Sequence, residues 1–331
     1  MNLSVITSQF WSLAFQGLAL GLIYSLVSLG YTMVYGVLRL INFANSEVFM
    51  LGTFAVLYVE INILGHPVTA KPLGGFELIY TLVIALVGSM IACAVIAVLV
   101  ELVAYRRLRA RGASRLASLI SAIGVSIFLM ESMRMVTASR PQTAPRLLEK
   151  WSFGEFAGIN FRIDTIMAIV APIVIFLILD QFVTRSRLGK AIRAVSMSED
   201  NSKLMGININ RVISLTFLIG GLTTGAAAFL YTTVYENTVF NVGFNMGIAA
   251  FTAAVLGGIG NIRGAFFGGL ALGMIEQFAS AVLGSQWKAV TVFVVLVLIL
   301  LFKPNGLFGE RSEEHTSELQ SLRHLVCRLL L

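Results

Sequence analysis

The residues in this sequence with the clearest potential for chemistry are acidic side chains within or at the ends of apolar runs. They are Glu47, Glu60, Glu101 and Glu276. A charged side chain inside a membrane span costs about 2.5–3.5 kcal/mol on insertion scales, so each of these carboxylates needs a partner. Glu101 can reach Tyr105 or Arg106 along one helix face. Glu47 and Glu276 have no such neighbour, and we expect them in an interior polar path or in bonds between helices.

Other residues and motifs argue against catalysis by this chain. Glu131 and Arg134 are three residues apart, a helical spacing at which they can neutralise each other, so we interpret them as a structural ion pair. The chain contains no G-x-x-x-x-G-K followed by Ser or Thr, the motif of an ATP-binding loop, and no H-E-x-x-H zinc motif. Before residue 311 it has a single histidine, His66, and a single cysteine, Cys93. We therefore predict no catalytic residue, no metal site and no cofactor on this chain.

The composition indicates that membrane helices position these residues. Of the 331 residues, 57% are hydrophobic and only 12% are charged, which leaves too little polar surface for a soluble domain of this size. We predict an all-α fold, a polytopic transmembrane helical bundle with eight to nine spans. The spans are expected at residues 10–31, 47–64, 78–104, 116–136, 164–183, 212–231, 246–258, 264–283 and 288–302. The run 246–258 is short, so a tilted span and a re-entrant segment are both open.

Basic residues predict the orientation of the chain. The net charge is +7, but the basic residues lie in short loops between apolar runs, which indicates topology rather than nucleic-acid binding. Five arginines between Arg106 and Arg115 are the strongest cytoplasmic marker. Counting spans from them places residues 185–211, residues 261–263 and Lys303 on the same, cytoplasmic side.

The segment Arg185–Arg211, RSRLGKAIRAVSMSEDNSKLMGININR, is the largest charged island before residue 311. It is long enough for one or two short helices, with Ser198 as an N-cap and Glu199 and Asp200 in the first turn, where negative charge is favoured. Two interpretations are open: a surface that meets a soluble partner, and an ordinary loop that only sets topology.

Glycine-containing stretches predict helix packing and helix breaks. Small residues recur four apart, for example at Gly17 and Gly21 and at Gly269 and Gly273, a spacing that allows helix backbones to approach closely. Residues 36–48 and 257–269 resemble broken helices, which mark either a central pathway or a pair of tight cytoplasmic turns. The candidate pathway residues from these breaks and from the buried acids are Asn42, Asn45, Glu47, Gly257, Gly258, Asn261 and Glu276.

Three segments together carry a resemblance to a known family. They are GLALGLIYSLVSLGYTMVYGVLRLINFANSEVFMLG, LGKAIRAVSMSEDNSKLMGININRVISLTF and FTAAVLGGIGNIRGAFFGGLALGMIE. They resemble the inner-membrane permease of high-affinity branched-chain amino acid ABC importers, in the shorter of its two permease subunits, and the resemblance covers residues 17–309. It implies a bacterial inner-membrane location and three kinds of partner: a second related permease, two ATP-binding cassette subunits, and a periplasmic or lipoprotein substrate-binding protein.

The resemblance also implies a role for the basic segment. ABC importers carry a cytoplasmic coupling helix followed by a glycine, and residues 193–208 match that region with Gly206 at the loop glycine. The residues expected to couple to the ATPase are Arg193, Ala194, Glu199, Asp200, Leu204, Gly206, Ile207 and Asn208. Asn45 and Ser46 stand where the family often has His-Gly, so this chain departs from the family pattern beside the predicted pathway.

Two alternatives to a branched-chain amino acid permease are open, one in the substrate and one in the class of transporter. Urea or a short amide is the alternative substrate for an ABC permease, and an autonomous secondary carrier or channel is the alternative class. We expect residues 1–310 to form the transmembrane permease domain with its coupling loop at 185–211. Residues 311–331 include RSEEHTSELQS, which resembles a translated sequencing adapter, and we expect this tail to be non-native.

Overall fold

The computed structural model describes residues 3–68, 72–148, 152–156, 159–303 and 306–308. The predicted non-native tail at 311–331 lies outside these residues. Within them, eight helices are long and apolar enough to cross a membrane. One shorter apolar helix, Val242–Gly257, lies between the sixth and the seventh of these along the chain. The prediction of an all-α, polytopic helical bundle is confirmed, and the chain is a multi-pass membrane protein.

The helices follow one another along the chain, and the connection between α5 and α6, residues 138–162, is the longest between any two of them. They are α1 (Leu3–Leu38), α2 (Ala44–Tyr58), α3 (Gly75–Val100), α4 (Arg107–Ala110), α5 (Arg115–Thr137), α6 (Ile163–Arg185), α7 (Arg187–Met197), α8 (Glu199–Leu204), α9 (Ile209–Tyr235), α10 (Val242–Gly257), α11 (Ile262–Leu283) and α12 (Lys288–Phe302). A π-helical turn, Val59–Ile63, extends α2, and another, Glu101–Arg106, joins α3 to α4. The spans they form therefore run continuously over Ala44–Ile63 and Gly75–Ala110.

Two small antiparallel sheets lie in the polar connections. Strand β1 (Gln142–Thr143) pairs with β4 (Asn237–Thr238), and β2 (Ser152–Phe156) pairs with β3 (Ile159–Arg162). The prediction of an all-helical chain missed these strands. Strands β1 and β4 have two residues each, and the apolar–polar alternation of β3 covers only four residues, which is too short to distinguish it from loop.

Small residues set the close contact between α1 and α11. A methyl group at Gly273 would lie 2.2 Å from the Gly21 Cα, so the two backbones touch without intervening side chains. Ser25 Oγ donates a hydrogen bond of 2.6 Å to the Phe266 carbonyl, and Ser28 Oγ donates one of 3.0 Å to the Ala265 carbonyl. Lipid provides no hydrophobic drive for helix association, so close packing and such hydrogen bonds hold the pair together.

The predicted cytoplasmic segments meet at one end of the bundle, here called the coupling end. Arg109 Nη2 donates to Asn210 Oδ1 at 3.4 Å, which joins the end of α4 to the start of α9. Arg263 pairs with Asp180 near the end of α6, and the Leu307 amide donates to the Leu256 carbonyl at 2.8 Å. The prediction that these segments share one side is confirmed.

The short helix α10 is part of a full crossing of the bundle. Helix α9 ends at Tyr235, away from the coupling end, and α11 begins at the coupling end. The connection runs through β4 and then through the 16 residues of α10. The first turn of α10 lies inside the bundle, where a methyl group at Gly243 would be 2.5 Å from the Ser46 carbonyl oxygen. The run 246–258 therefore crosses the bundle together with the non-helical residues 236–241 that precede α10.

Candidate functional site

The coupling end presents two short helices between α6 and α9. Ser198 ends α7 and caps α8, and its hydroxyl accepts a hydrogen bond of 3.3 Å from the Asn201 amide. Glu199 and Asp200 occupy the first turn of α8, where the helix dipole favours negative charge. The predicted cap and first turn are confirmed.

The turn after α8 depends on a glycine. Gly206 has a φ of +77°, in the left-handed region that favours glycine, and its amide donates to the Lys203 carbonyl at 3.0 Å. The half-buried Ile207 follows, and then Asn208 Oδ1 caps α9 by accepting from the Arg211 amide at 3.2 Å. Gly206 thus sets the direction in which the chain re-enters the bundle.

One face of α7 and α8 is buried against the bundle, and the opposite face is exposed. Ile192 and Val195 of α7 are buried against the bundle, and Ala194 is half-buried. Met197, Leu204 and Met205 are 85, 86 and 83% exposed. The side chains of Arg193, Glu199, Asp200 and Asn208 are also exposed. Large apolar side chains beside both charge signs are typical of a surface that meets another protein.

Arginines tie these helices to the spans. Arg193 Nη2 donates to the Thr184 carbonyl at 3.0 Å, which fixes α7 to the end of α6. Arg39, in the connection between α1 and α2, donates to the Ser196 carbonyl at 3.2 Å. Arg263 at the start of α11 binds both carboxylate oxygens of Asp180, each at 3.0 Å. Hydrogen bonds therefore join α7 to the α1–α2 connection and to the end of α6, and an ion pair joins α6 to α11.

A buried carboxylate organises the start of α9. Glu101 is fully buried and accepts from Arg106 at 3.1 Å and from Arg109 at 2.8 Å. Ser214 Oγ on α9 donates to it at 2.9 Å. The predicted contact of Glu101 with Arg106 is confirmed, and Arg109 is a second partner. The exposed pair of Glu131 and Arg134 also forms as predicted, at 2.6 Å.

The three predicted pathway residues at the start of α2 lie together in the interior. Asn42 Oδ1 accepts from the Tyr105 hydroxyl at 3.0 Å, and Asn45 Oδ1 accepts from Thr224 Oγ1 at 3.4 Å. Glu47 is 1% exposed. Asn42 contacts the turn after α3, Asn45 contacts α9 and Glu47 contacts α5 and α10, and none of the three lines a cavity described below.

Glu47 lies where two helices begin. Its Oε1 accepts from Ser46 and Ser126 hydroxyls at 3.4 Å each, and its Oε2 has no hydrogen-bond partner among the described residues. It belongs to the first turn of α2, and a methyl group at Gly243, in the first turn of α10, would lie 2.7 Å from Oε2. The positive ends of two helix dipoles therefore converge on this carboxylate.

The other predicted pathway residues near the break at 257–269 form a tight turn at the coupling end. Asn261 Oδ1 caps α11 by accepting from the Gly264 amide at 3.1 Å, and its Nδ2 donates to the Phe308 carbonyl at 3.0 Å. A methyl group at Gly257 would lie 2.0 Å from the Gly264 carbonyl oxygen, and Gly258 has a φ of +100°. These glycines allow close packing of the turn, and the structure does not bring them to Glu47.

Glu276 lies apart from both groups, near the middle of α11. It is 4% exposed, and the Tyr24 hydroxyl donates to its Oε2 at 2.8 Å. It lines a cavity of about 440 Å³ between α1, α9, α10, α11 and α12. Lys288, at the start of α12, lines the same cavity.

Several of these contacts were beyond sequence reasoning. No sequence pattern assigns a role to Asp180, and the patterns place Arg263 in a cytoplasmic connection and Lys288 at the start of a span, with no partner for either. Asp180 could have been identified as an acidic residue inside an apolar run, close to the basic segment that begins at Arg185. No local spacing connects Lys288 to the cavity of Glu276.

Comparisons with known proteins agree with the architecture. The family model described as "Branched-chain amino acid transport system / permease component" matches residues 13–302. BraD of Pseudomonas aeruginosa, a high-affinity branched-chain amino acid transport system permease protein, is 41% identical over 303 residues, covering 90% of this chain and 95% of BraD. LivH of Escherichia coli, of the same description, is 38% identical over 304 residues, covering 91% and 96%.

Among solved structures, PsaBC from Streptococcus pneumoniae in complex with Fab is similar over 92% of this chain and 97% of that chain. Its identity is 14% and its TM-score 0.43, a similarity too low to support an argument. The extent of the family match and the identity to BraD and LivH decide the assignment: this chain belongs to the family of branched-chain amino acid transport system permease components.

Proposed function

We propose that this chain is the permease subunit of an ABC importer in a bacterial inner membrane, and that its substrate is a branched-chain or similar aliphatic amino acid. The observation that carries the proposal is the 41% identity to BraD over nine-tenths of both chains. The chain itself is a transport subunit without catalytic residues. A second related permease, two ATP-binding cassette subunits and a periplasmic or lipoprotein substrate-binding protein complete the transporter.

The exposed surface of α7 and α8 is the proposed docking site for a cassette. Its apolar part is Met197, Leu204 and Met205, and its charged part is Arg193, Glu199 and Asp200. Because the chain has no ATP-binding loop motif, ATP is bound and hydrolysed on the cassettes.

The ties at the coupling end supply the mechanical step. Closure of the cassettes moves α7 and α8, and Arg39 transmits that movement to the connection between α1 and α2 through Ser196. Asp180 and Arg263 transmit it from α6 to α11. Helices α1 and α11 are packed backbone to backbone, so they respond as one unit and change access to the interior.

Co-purification of the cassettes with variants of this chain tests the docking site. Glu199→Arg places a positive charge beside Arg106 and Arg109, which line the same cleft. Gly206→Pro removes an amide hydrogen bond and cannot adopt a φ of +77°. Both variants should insert in the membrane and lose the cassettes, whereas Glu77→Arg, an exposed acid at the start of α3, should keep them. Cassettes retained by both coupling variants would refute the docking site.

Ligand binding by the cognate substrate-binding protein tests the substrate. We expect saturable binding of leucine, isoleucine or valine and none of urea or acetamide. Binding of urea or a short amide alone would replace the amino acid as the substrate and leave the ABC permease assignment standing.

A further inference from the structure

The cavity beside Glu276 has opposite charges on two of its walls, and its other side chains are mainly apolar, together with the polar residues Tyr24, Tyr231, Asn245, Ser285 and Gln286. Glu276 belongs to α11 and Lys288 to the start of α12. The apolar wall is formed by Val242, Met246 and Ala249 of α10 with Val292 and Phe293 of α12. Its volume of about 440 Å³ lies within the roughly 300–1,000 Å³ typical of small-molecule sites.

Glu276 and Lys288 face the same cavity, but no ion pair joins them directly among the described residues. Glu276 uses one carboxylate oxygen to accept from Tyr24, a neutral donor. Lys288 is half-buried, and no ion pair or side-chain hydrogen bond of its ammonium group occurs within the described ranges. Charged groups within a membrane span are costly unless they are paired. A ligand that carries one charge of each sign compensates both groups at once.

We propose that this cavity is a substrate-binding site of the permease, which holds a zwitterionic amino acid with an apolar side chain on its way through the membrane. Lys288 binds the α-carboxylate and Glu276 binds the α-ammonium group. Met246, Ala249 and Val292 contact the aliphatic side chain. The inference rests on the proposed function, because it assigns the substrate class to a site within this chain.

A second cavity provides an approach to this site. It has a volume of about 400 Å³ and is lined by Gln16, Asp164, Tyr235, Gln277 and, again, Lys288. It lies toward the end of the bundle opposite the coupling end, since Asp164 begins α6 and Tyr235 ends α9. Lys288 therefore lies between the second cavity and the cavity beside Glu276. A substrate that enters through the second cavity brings its carboxylate to Lys288 before it reaches Glu276.

The charge arrangement accounts for selectivity among small molecules. An aliphatic amine lacks a group for Lys288, and an aliphatic acid lacks one for Glu276. A neutral urea or amide offers neither charge. A site with a fixed charged group rejects a ligand that leaves this group unpaired, so the cavity favours zwitterions over all three classes.

The first test uses the complete transporter in proteoliposomes with its substrate-binding protein. Leucine uptake and ATP hydrolysis are measured for Glu276→Gln and Lys288→Gln. Loss of one charge-assisted contact should lower uptake by about tenfold or more, while ATP hydrolysis continues at the wild-type rate. Glu131→Gln and Lys303→Gln, which change the same charges outside the cavity, should leave uptake unchanged. Wild-type uptake by both cavity variants, or parallel loss of ATP hydrolysis, would overturn the site.

The second test detects ligand in the cavity without relying on transport. Ala249→Cys in the complete transporter is labelled with a thiol reagent, and the chain without the added cysteine gives the background. Leucine should slow the labelling, whereas isopentylamine and isovalerate should not, and Glu276→Gln should abolish the protection. Equal labelling with and without leucine, or equal protection by all three compounds, would overturn the site. Absence of branched-chain amino acid uptake by the wild type would instead refute the proposed function.

Discussion

At the scale of single residues, the carboxylate of Glu101 is the clearest case of charge held in the interior. It is fully buried and is bound by Arg106, Arg109 and Ser214. Removing one partner of a buried ion pair costs more than forming the pair gains, because the remaining charge stays in the interior. The cost here is moderated by the partial exposure of both arginines, 39% and 21%.

We therefore expect Glu101→Gln to destabilise the protein by about 3 kcal/mol. Thermal unfolding of the purified protein in detergent measures this, with Glu131→Gln as the matched control. The side chains of Glu131 and Arg134 are 37% and 48% exposed, so Glu131→Gln encloses no unpaired charge in the protein interior and should destabilise the protein less than Glu101→Gln. Equal changes in both variants would show that Glu101 is not the electrostatic centre of this end.

Gly206 makes a second prediction about a single residue. A methyl group at Gly206 would meet nothing within 4 Å, so only the backbone conformation opposes a side chain there. Gly206→Ala should cost about 1–2 kcal/mol and retain the cassettes, unlike Gly206→Pro. The unfolding temperature of each variant measures the strain in the turn. Co-purification of the cassettes shows whether the chain still leaves the turn in the direction that docking requires. Loss of the cassettes from Gly206→Ala would contradict this explanation.

At the scale of elements, the packing of α1 on α11 joins these two helices into one unit. Gly21 and Gly273 bring the two backbones into contact, and Ser25 and Ser28 add hydrogen bonds between them. No other residue type fits at Gly273 without separating the helices.

Gly273→Ala should therefore destabilise the protein by about 1–3 kcal/mol, the range for an overpacked interior. Gly124→Ala is the matched control, because Gly124 is also a helical glycine but a methyl group there would meet nothing within 4 Å. It should be neutral or stabilising by up to about 1 kcal/mol. Thermal unfolding of both variants checks the pair, and a Gly273→Ala variant as stable as the wild type would show that the helices can move apart freely.

At the scale of the whole molecule, the sequence predicted the spans well and the contacts between them poorly. Apolar runs in the sequence identified the eight long helices and the short α10. A span can be identified in this way because its length and hydrophobicity are properties of one continuous segment. The cap at Ser198 and the pair of Glu131 and Arg134 were also predictable, since their partners lie within one helical turn.

Contacts between distant segments had no such signal. Tyr24 and Glu276 are separated by 252 residues, and Asp180 and Arg263 by 83. Neither spacing has a period that a sequence pattern can show. The predicted pathway residues consequently fall into three places: the interior start of α2, the turn before α11, and the cavity beside Glu276.

The central claim is that this chain transports substrate only when partner cassettes hydrolyse ATP. Uptake of labelled leucine into proteoliposomes that contain the complete transporter, with ATP inside and the substrate-binding protein outside, tests it most directly. We predict uptake that requires hydrolysable ATP and is abolished by Gly206→Pro, with no dependence on an imposed proton or sodium gradient. Leucine uptake by this chain alone, driven by such a gradient and lost on neutralising Glu47 or Glu276, would contradict the account and identify an autonomous carrier.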